Sequence, residues 1–227
     1  MNKVLLTSAA IVAIAGGITA NMYFSSDSIT AQQVERSVPE QTVVKDKGSY
    51  RLFEPAKKLP KFELQRSGIE GFTEQDLIGK WTFVSFGYTY CPDICPTTLT
   101  RIKAVYPQLK NIAAVQVIFV SADPLRDDVE RLAQYVNFFD SSFLGLTANH
   151  DKLFPFAQSL FLPYGIIATK KSDDYQVNHS ASIALINPQG KLHAQFKPVH
   201  QVGEVPIVDM KVMADSFADI VATSDGA

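Results

Sequence analysis

Tyr90-Cys91-Pro92-Asp93-Ile94-Cys95-Pro96 holds the only two cysteines of the 227-residue chain, each followed by a proline. Ahead of it runs the apolar stretch Trp81-Thr82-Phe83-Val84-Ser85-Phe86-Gly87-Tyr88. Behind it Leu99, Ile102 and Tyr106 recur at helical spacing. The pattern predicts a strand buried on both faces, a tight turn, and a helix whose first turn carries both thiols. Pro92 suits the first helical position, where its missing N–H has no partner to lose. Thiols at a helix N-terminus ionise more readily, because unpaired N–H groups and the positive end of the dipole favour the anion. Four helical residues advance about 6 Å, within the Cα separation a disulfide allows. The pair can bridge, or both thiolates can grip one soft metal ion; the spacing alone does not choose.

On the carboxyl side, Val115 to Val120 reads as a second buried strand. Pro107 should end or bend the helix before it. Asp123 is placed to cap a further helix with Pro124 at its first position, and Asp127, Asp128 and Glu130 fall where the dipole favours them. Leu125, Val129, Leu132, Val136 and Phe139 give that helix its apolar stripe. Phe143 to Leu146 reads as a third strand, and a helix should run from about His150 to Phe161. The pattern then changes. Ser182 to Ile186 and Lys191 to Phe196 flank Asn187-Pro188-Gln189-Gly190, an antiparallel hairpin with its turn. A last helix, about Val205 to Val221, carries Met210, Met213, Phe217 and Ile220 in register, and the tail from Ala222 should fray. This order predicts an α/β, thioredoxin-like three-layer fold over residues 61–227, with a central mixed sheet and added β-hairpin elements.

Folds of this order set the cysteine turn opposite the loop that enters the hairpin, here Gln176-Val177-Asn178-His179-Ser180-Ala181. His179 is therefore the candidate third ligand. Of the other three histidines, His150 sits near a helix start, His193 in an alternating strand and His200 in a loop, where capping, packing or exposure accounts for them. Two thiolates and one imidazole suit Cu(I), and the same set can hold Cu(II). Zinc usually takes four protein ligands in a closed site, and no fourth Cys or His is well placed. Met210 and Met213, at helical spacing in an apolar stripe, are core residues first.

The amino-terminal end gives an address. After Lys3 no charge appears until Asp27, and the intervening run of Ala, Val, Ile and Leu is long enough to span a bilayer. Residues 1–26 are expected to form a membrane anchor with Lys3 on the inner side, placing the bulk of the chain outside, which in a bacterium means the periplasm. A cleaved signal peptide ending near Ala13-Ile14-Ala15 is the rival reading. Residues 27–60, polar and without sustained period, read as a linker, although Tyr50-Arg51-Leu52-Phe53 has the character of a packed segment. A formal charge of −2 argues against nucleic acid as a partner. Two cysteines in an exported protein normally end as a disulfide, so a pair kept free needs a metal or a reductant.

Phe86-Gly87-Tyr88-Thr89-Tyr90-Cys91-Pro92-Asp93-Ile94-Cys95-Pro96-Thr97-Thr98-Leu99 closely resembles the signature of the Sco (SenC) family of copper-delivery proteins. Ser121-Ala122-Asp123-Pro124-Leu125-Arg126-Asp127 and Gly145-Leu146-Thr147 are similar to its next blocks. The resemblance implies that Cys91, Cys95 and His179 bind copper, that one amino-terminal helix anchors the domain at the inner membrane, and that the CuA-bearing subunit of cytochrome c oxidase receives the metal. It also implies an upstream copper donor or thiol reductant. Asn178 stands where many members have Asp beside the histidine, a departure that bears on docking and transfer. The competing function is a thiol–disulfide reductase for the same subunit, with Cys91 or Cys95 attacking and a Cys91–Cys95 disulfide as the oxidised form. Ordinary reductases of this fold use CxxC and have no use for the imidazole. The Pro-x-x-x-Thr/Ser-x-x-Cys pattern of peroxiredoxins is absent.

Overall fold

The computed structural model describes residues 42–168 and 175–224, so the expected anchor (1–26) and the expected linker as far as residue 41 lie outside it. Among the described residues no helix is long and apolar enough to cross a membrane. In chain order the strands are β1 (Val43–Asp46), β2 (Tyr50–Lys58), β3 (Glu63–Arg66), β4 (Ile69–Thr73), β5 (Trp81–Gly87), β6 (Val115–Ser121), β7 (Leu144–Leu146), β8 (Tyr164–Ala168), β9 (Tyr175–His179), β10 (Ile183–Ile186) and β11 (Lys191–Phe196). The helices are α1 (Ile94–Ile112), α2 (Val129–Phe139), α3 (His150–Ser159) and α4 (Met210–Ser224).

The central sheet is seven-stranded and mixed, in the order β1-β2-β11-β10-β5-β6-β7. β5, β6 and β7 run parallel, and the pairings from β5 outward through β10, β11, β2 and β1 are antiparallel. Every residue of β5 is buried, as expected of a strand covered on both sides. Its side chains alternate. Trp81 and Phe83 enter a core shared with α1, α2 and α4, whereas Val84 and Phe86 enter one shared with α3 and the β3–β4 hairpin. That is a three-layer arrangement with the cysteine-bearing corner at the carboxyl end of β5.

Several expectations are corrected. The linker expected to reach residue 60 ends earlier, because β2 pairs with β11 and sends Phe53 into the core at 2% exposure. Only Cys95 lies in a helix. α1 begins at Ile94, and Cys91 precedes it in a turn closed by its own N–H donating to the Tyr88 carbonyl. The cause is Pro92, whose ring disfavours helical backbone at the residue before it. Pro107 neither ends nor interrupts α1. It lies on the exposed face together with Lys103, whose carbonyl loses its partner where water can replace it. α2 starts at Val129, capped by the Asp128 side chain accepting from the Arg131 N–H at 2.7 Å, and not at Asp123. Pro124 to Arg126 form a turn, which leaves Leu125 82% exposed and outside the apolar stripe. The final helix starts at Met210 instead of near Val205, after Pro206 and a short bridge at Ile207–Val208. His179 ends strand β9 and is not in an irregular loop.

Candidate metal centre

Three elements deliver the three candidate ligands. The turn after β5 carries Cys91, the first turn of α1 carries Cys95, and the end of β9 carries His179. β9 pairs with β8 as a separate antiparallel ribbon, Tyr164 opposite His179, and that ribbon lies outside the central sheet. The Cys91 and Cys95 sulfurs and a ring nitrogen of His179 all lie within 4.8 Å of one another, and Cys95 Sγ is 3.4 Å from His179 Nε2. Ligands about 2.1–2.3 Å from a shared ion in a trigonal plane stand roughly 3.7 Å apart, so this donor set fits one soft cation with little adjustment. The His179 Nδ1 lies 3.2 Å from the Ser180 carbonyl, which acts as acceptor for an Nδ1–H and leaves Nε2 with its lone pair toward the sulfurs.

The two thiols are unequal. Cys95 is 2% exposed in the core beneath α1, and Cys91 is half-buried at the surface of both cores. A hydrogen bond from the Cys95 thiol draws Cys91 down to about 3, against the effect of burial. Donating that same bond, together with burial, pushes the Cys95 thiol upward. One thiolate at the surface and one protonated thiol beneath it is the state from which either a metal or a disulfide partner would be met.

Two supporting residues escaped the sequence reading. Gly87, the last residue of β5, has no room for a side chain: a Cβ there would collide with Cys95 Sγ and stand 2.7 Å from the Phe119 ring. A glycine closing an apolar strand pattern is the available signal of such an approach. Asp127 was read as a carboxylate favoured by a helix dipole. It is fully buried, and it accepts from Thr89 N–H at 2.8 Å, Thr89 Oγ1 at 2.5 Å and Ser121 Oγ at 2.6 Å. It thereby ties the turn before Cys91 to the end of β6. Nothing in its sequence context separates it from Asp128 beside it. Ser85 Oγ is buried without a hydrogen-bond partner among the described residues and lines a small cavity with Cys95 and His179. His150 bonds Tyr164 Oη, His193 stands edge-on to Trp81, and His200 is exposed; none of them joins the cluster.

A cysteine pair at the strand–helix corner of a three-layer mixed-sheet fold, faced by an imidazole on a crossing ribbon, defines a thioredoxin-like domain with a candidate three-ligand centre. The family model described as SCO1/SenC matches residues 52–211, and the chain belongs to that family. A protein of Stutzerimonas stutzeri is 34% identical over 154 residues, covering 67% of this chain and 75% of that one. The human mitochondrial protein SCO2 homolog is 39% identical over 118 residues, 51% of this chain and 44% of that protein, so the chain spans less than half of that relative's length. The crystal structure of Arabidopsis thaliana ScoI with copper bound superposes with a TM-score of 0.62 at 29% identity, covering 72% of this chain and 98% of that one.

Proposed function

We propose that this protein is a membrane-anchored copper chaperone of the exported compartment. It binds Cu(I), and also Cu(II), through Cys91 Sγ, Cys95 Sγ and His179 Nε2, and passes the metal to the CuA centre of cytochrome c oxidase. The observation that carries the reading is the convergence of two sulfurs and one imidazole nitrogen within 4.8 Å, a soft donor set matched to copper. Family membership and a copper-bound relative of the same fold support it. The apolar run between Lys3 and Asp27 supports the anchor and the periplasmic location.

The inequality of the ligands suggests how release proceeds. Cys91, half-buried where Cys95 is buried, is the sulfur an incoming thiolate reaches first, while Cys95 holds the metal from below and His179 from the end of β9. Exchange of one thiolate for another moves the cargo without change of oxidation state and without leaving it free in solution. The expected result is that His179→Ala lowers Cu(I) affinity by well over tenfold in a competition titration with a Cu(I) chelator, since loss of a group that merely orients a ligand already costs about 10–100-fold. Dithiol–disulfide cycling should be nearly unaffected. Equal affinities for the two proteins would overturn the copper assignment.

A second reading, thiol–disulfide reductase, is favoured by the depressed Cys91 thiol beside a protonated Cys95. In that reaction the Cys91 thiolate attacks a partner disulfide and releases one partner thiolate. Cys95 then loses its proton and closes the Cys91–Cys95 bond, releasing the second, so the dithiol supplies both electrons. Unchanged reductase activity in His179→Ala, alongside lost copper binding, would separate the two activities.

A further inference from the structure

We infer that Arg126 is a positioning residue for the centre: its guanidinium, locked by Asp123, clamps the strand that carries His179 against the turn that carries Cys91. The inference rests on the reading of His179 as a ligand. β9 belongs to a ribbon outside the central sheet, so the place of His179 depends on what holds that ribbon to the body. Tyr175, Val177 and His179 alternate onto one face of β9, and Val177 is buried. Tyr175 begins that face about 13 Å from His179.

There a fork forms. Asp123, 1% exposed, accepts from Tyr175 Oη on one carboxylate oxygen and from Arg126 Nε on the other. The guanidinium lies 3.9 Å from the Tyr175 ring centroid, 5.5 Å from that of Tyr88 and 5.2 Å from that of Tyr90. All three are within the roughly 6 Å reach of a cation–π contact. Tyr88 opens the turn that ends in Cys91 and Tyr90 lies within it, and Tyr88 stands edge-on to His179 at 6.1 Å. One cation thus touches both segments that must converge on the metal. A surface ion pair would leave its nitrogens to water, yet Arg126 Nη2 is buried with no acceptor among the described residues. Aromatic faces take the place of acceptors, an arrangement that serves geometry more than charge neutralisation.

The test is a double-mutant cycle on Cu(I) affinity, with amide hydrogen exchange on the copper-free protein. Arg126→Lys and Arg126→Ala should weaken Cu(I) binding by about tenfold, the low end for losing a group that orients a ligand. Tyr175→Phe, which keeps the Arg126–Asp123 pair and removes one hydroxyl, should weaken it by a smaller factor and serves if Arg126→Ala does not fold. In the His179→Ala background each of these losses should vanish. Without metal, the amides of residues 175–180 should exchange faster in Arg126→Lys while those of α1 do not change. Losses that persist in full without His179, or wild-type affinity in all three variants, would overturn the inference. Wild-type affinity in His179→Ala alone would instead refute the copper reading, and the metal-free exchange data would then decide by themselves whether Arg126 holds the strand.

Discussion

At Gly87 the requirement is for empty space. Cys95 Sγ and the Phe119 ring occupy the volume a Cβ would take, and both belong to a packed core that cannot give way without cost. Gly87→Ala should therefore destabilise the fold by about 1–3 kcal/mol, the usual range for an overpacked core. It should also displace the Cys95 sulfur and weaken Cu(I) binding; denaturant unfolding and chelator competition would check the two effects. Asp127 presents the opposite problem, a buried polar group made tolerable by three donated hydrogen bonds and by Arg131 Nε at 3.7 Å. Asp127→Asn retains the shape but sets an amide N–H₂ against donors. We expect a loss of about 1–3 kcal/mol for the frustrated bonds, with faster alkylation of Cys91 as its turn loosens. The three ligand candidates were legible in the sequence because cysteines are scarce here and the order of elements placed one histidine opposite them. Gly87 and Asp127 were not, since their roles depend on neighbours far along the chain, Phe119 for Gly87 and Thr89 for Asp127.

Elements with a strong apolar signature follow from the sequence, strand ends included to within a residue, whereas the starts of α1, α2 and α4 do not. β5, β6 and the β10–β11 hairpin follow from runs whose burial leaves one solution. The starts of α1 and α2 lie later than Pro92 and Pro124 suggest: Pro92 keeps Cys91 out of the helix, and α2 waits for its cap at Asp128 while Asp127 bonds Thr89 and Ser121. β11 carries a testable consequence of its own. His193 is packed edge-on against Trp81, its Nδ1 is buried without a partner among the described residues, and burial lowers its pKa from 6.5. Below pH 6.5 the unfolded chain takes up this proton more readily than the folded one, so stability falls as pH drops from 6.5 through the folded-state value and then levels. Carboxylates titrate lower, which isolates the effect. His193→Leu should flatten unfolding free energy over that window, as followed by urea denaturation from pH 7 to 5. Cu(I) affinity at pH 7 should not change, because Trp81 lies at the opposite end of β5 from the cysteine turn.

The sheet as a whole decides where the domain begins. Its order places β2 between β1 and β11, so the segment before residue 61 supplies one wall of the fold and not a tether alone. β2 covers the β11 edge over Tyr50 to Lys58, Phe53 stacks on Phe161 at 5.2 Å, and Tyr50 packs on Phe196 at 5.7 Å. The sequence hid this because β2 carries Arg51, Glu54, Pro55, Lys57 and Lys58; with β1 outside it, its polar residues have water to face. A chain beginning at residue 42 should fold and bind Cu(I) with the affinity of the 227-residue chain. One beginning at residue 61 loses Phe53, worth about 3–5 kcal/mol by itself, together with a strand's hydrogen bonds. Against a total stability of roughly 5–15 kcal/mol, that loss should leave the shorter chain unfolded or aggregated through the bared edge of β11. Circular dichroism melting and size-exclusion chromatography of the two chains would distinguish the outcomes. A cooperative, monomeric 61–227 chain with intact copper binding would show that the wall is dispensable and that the domain begins after β2.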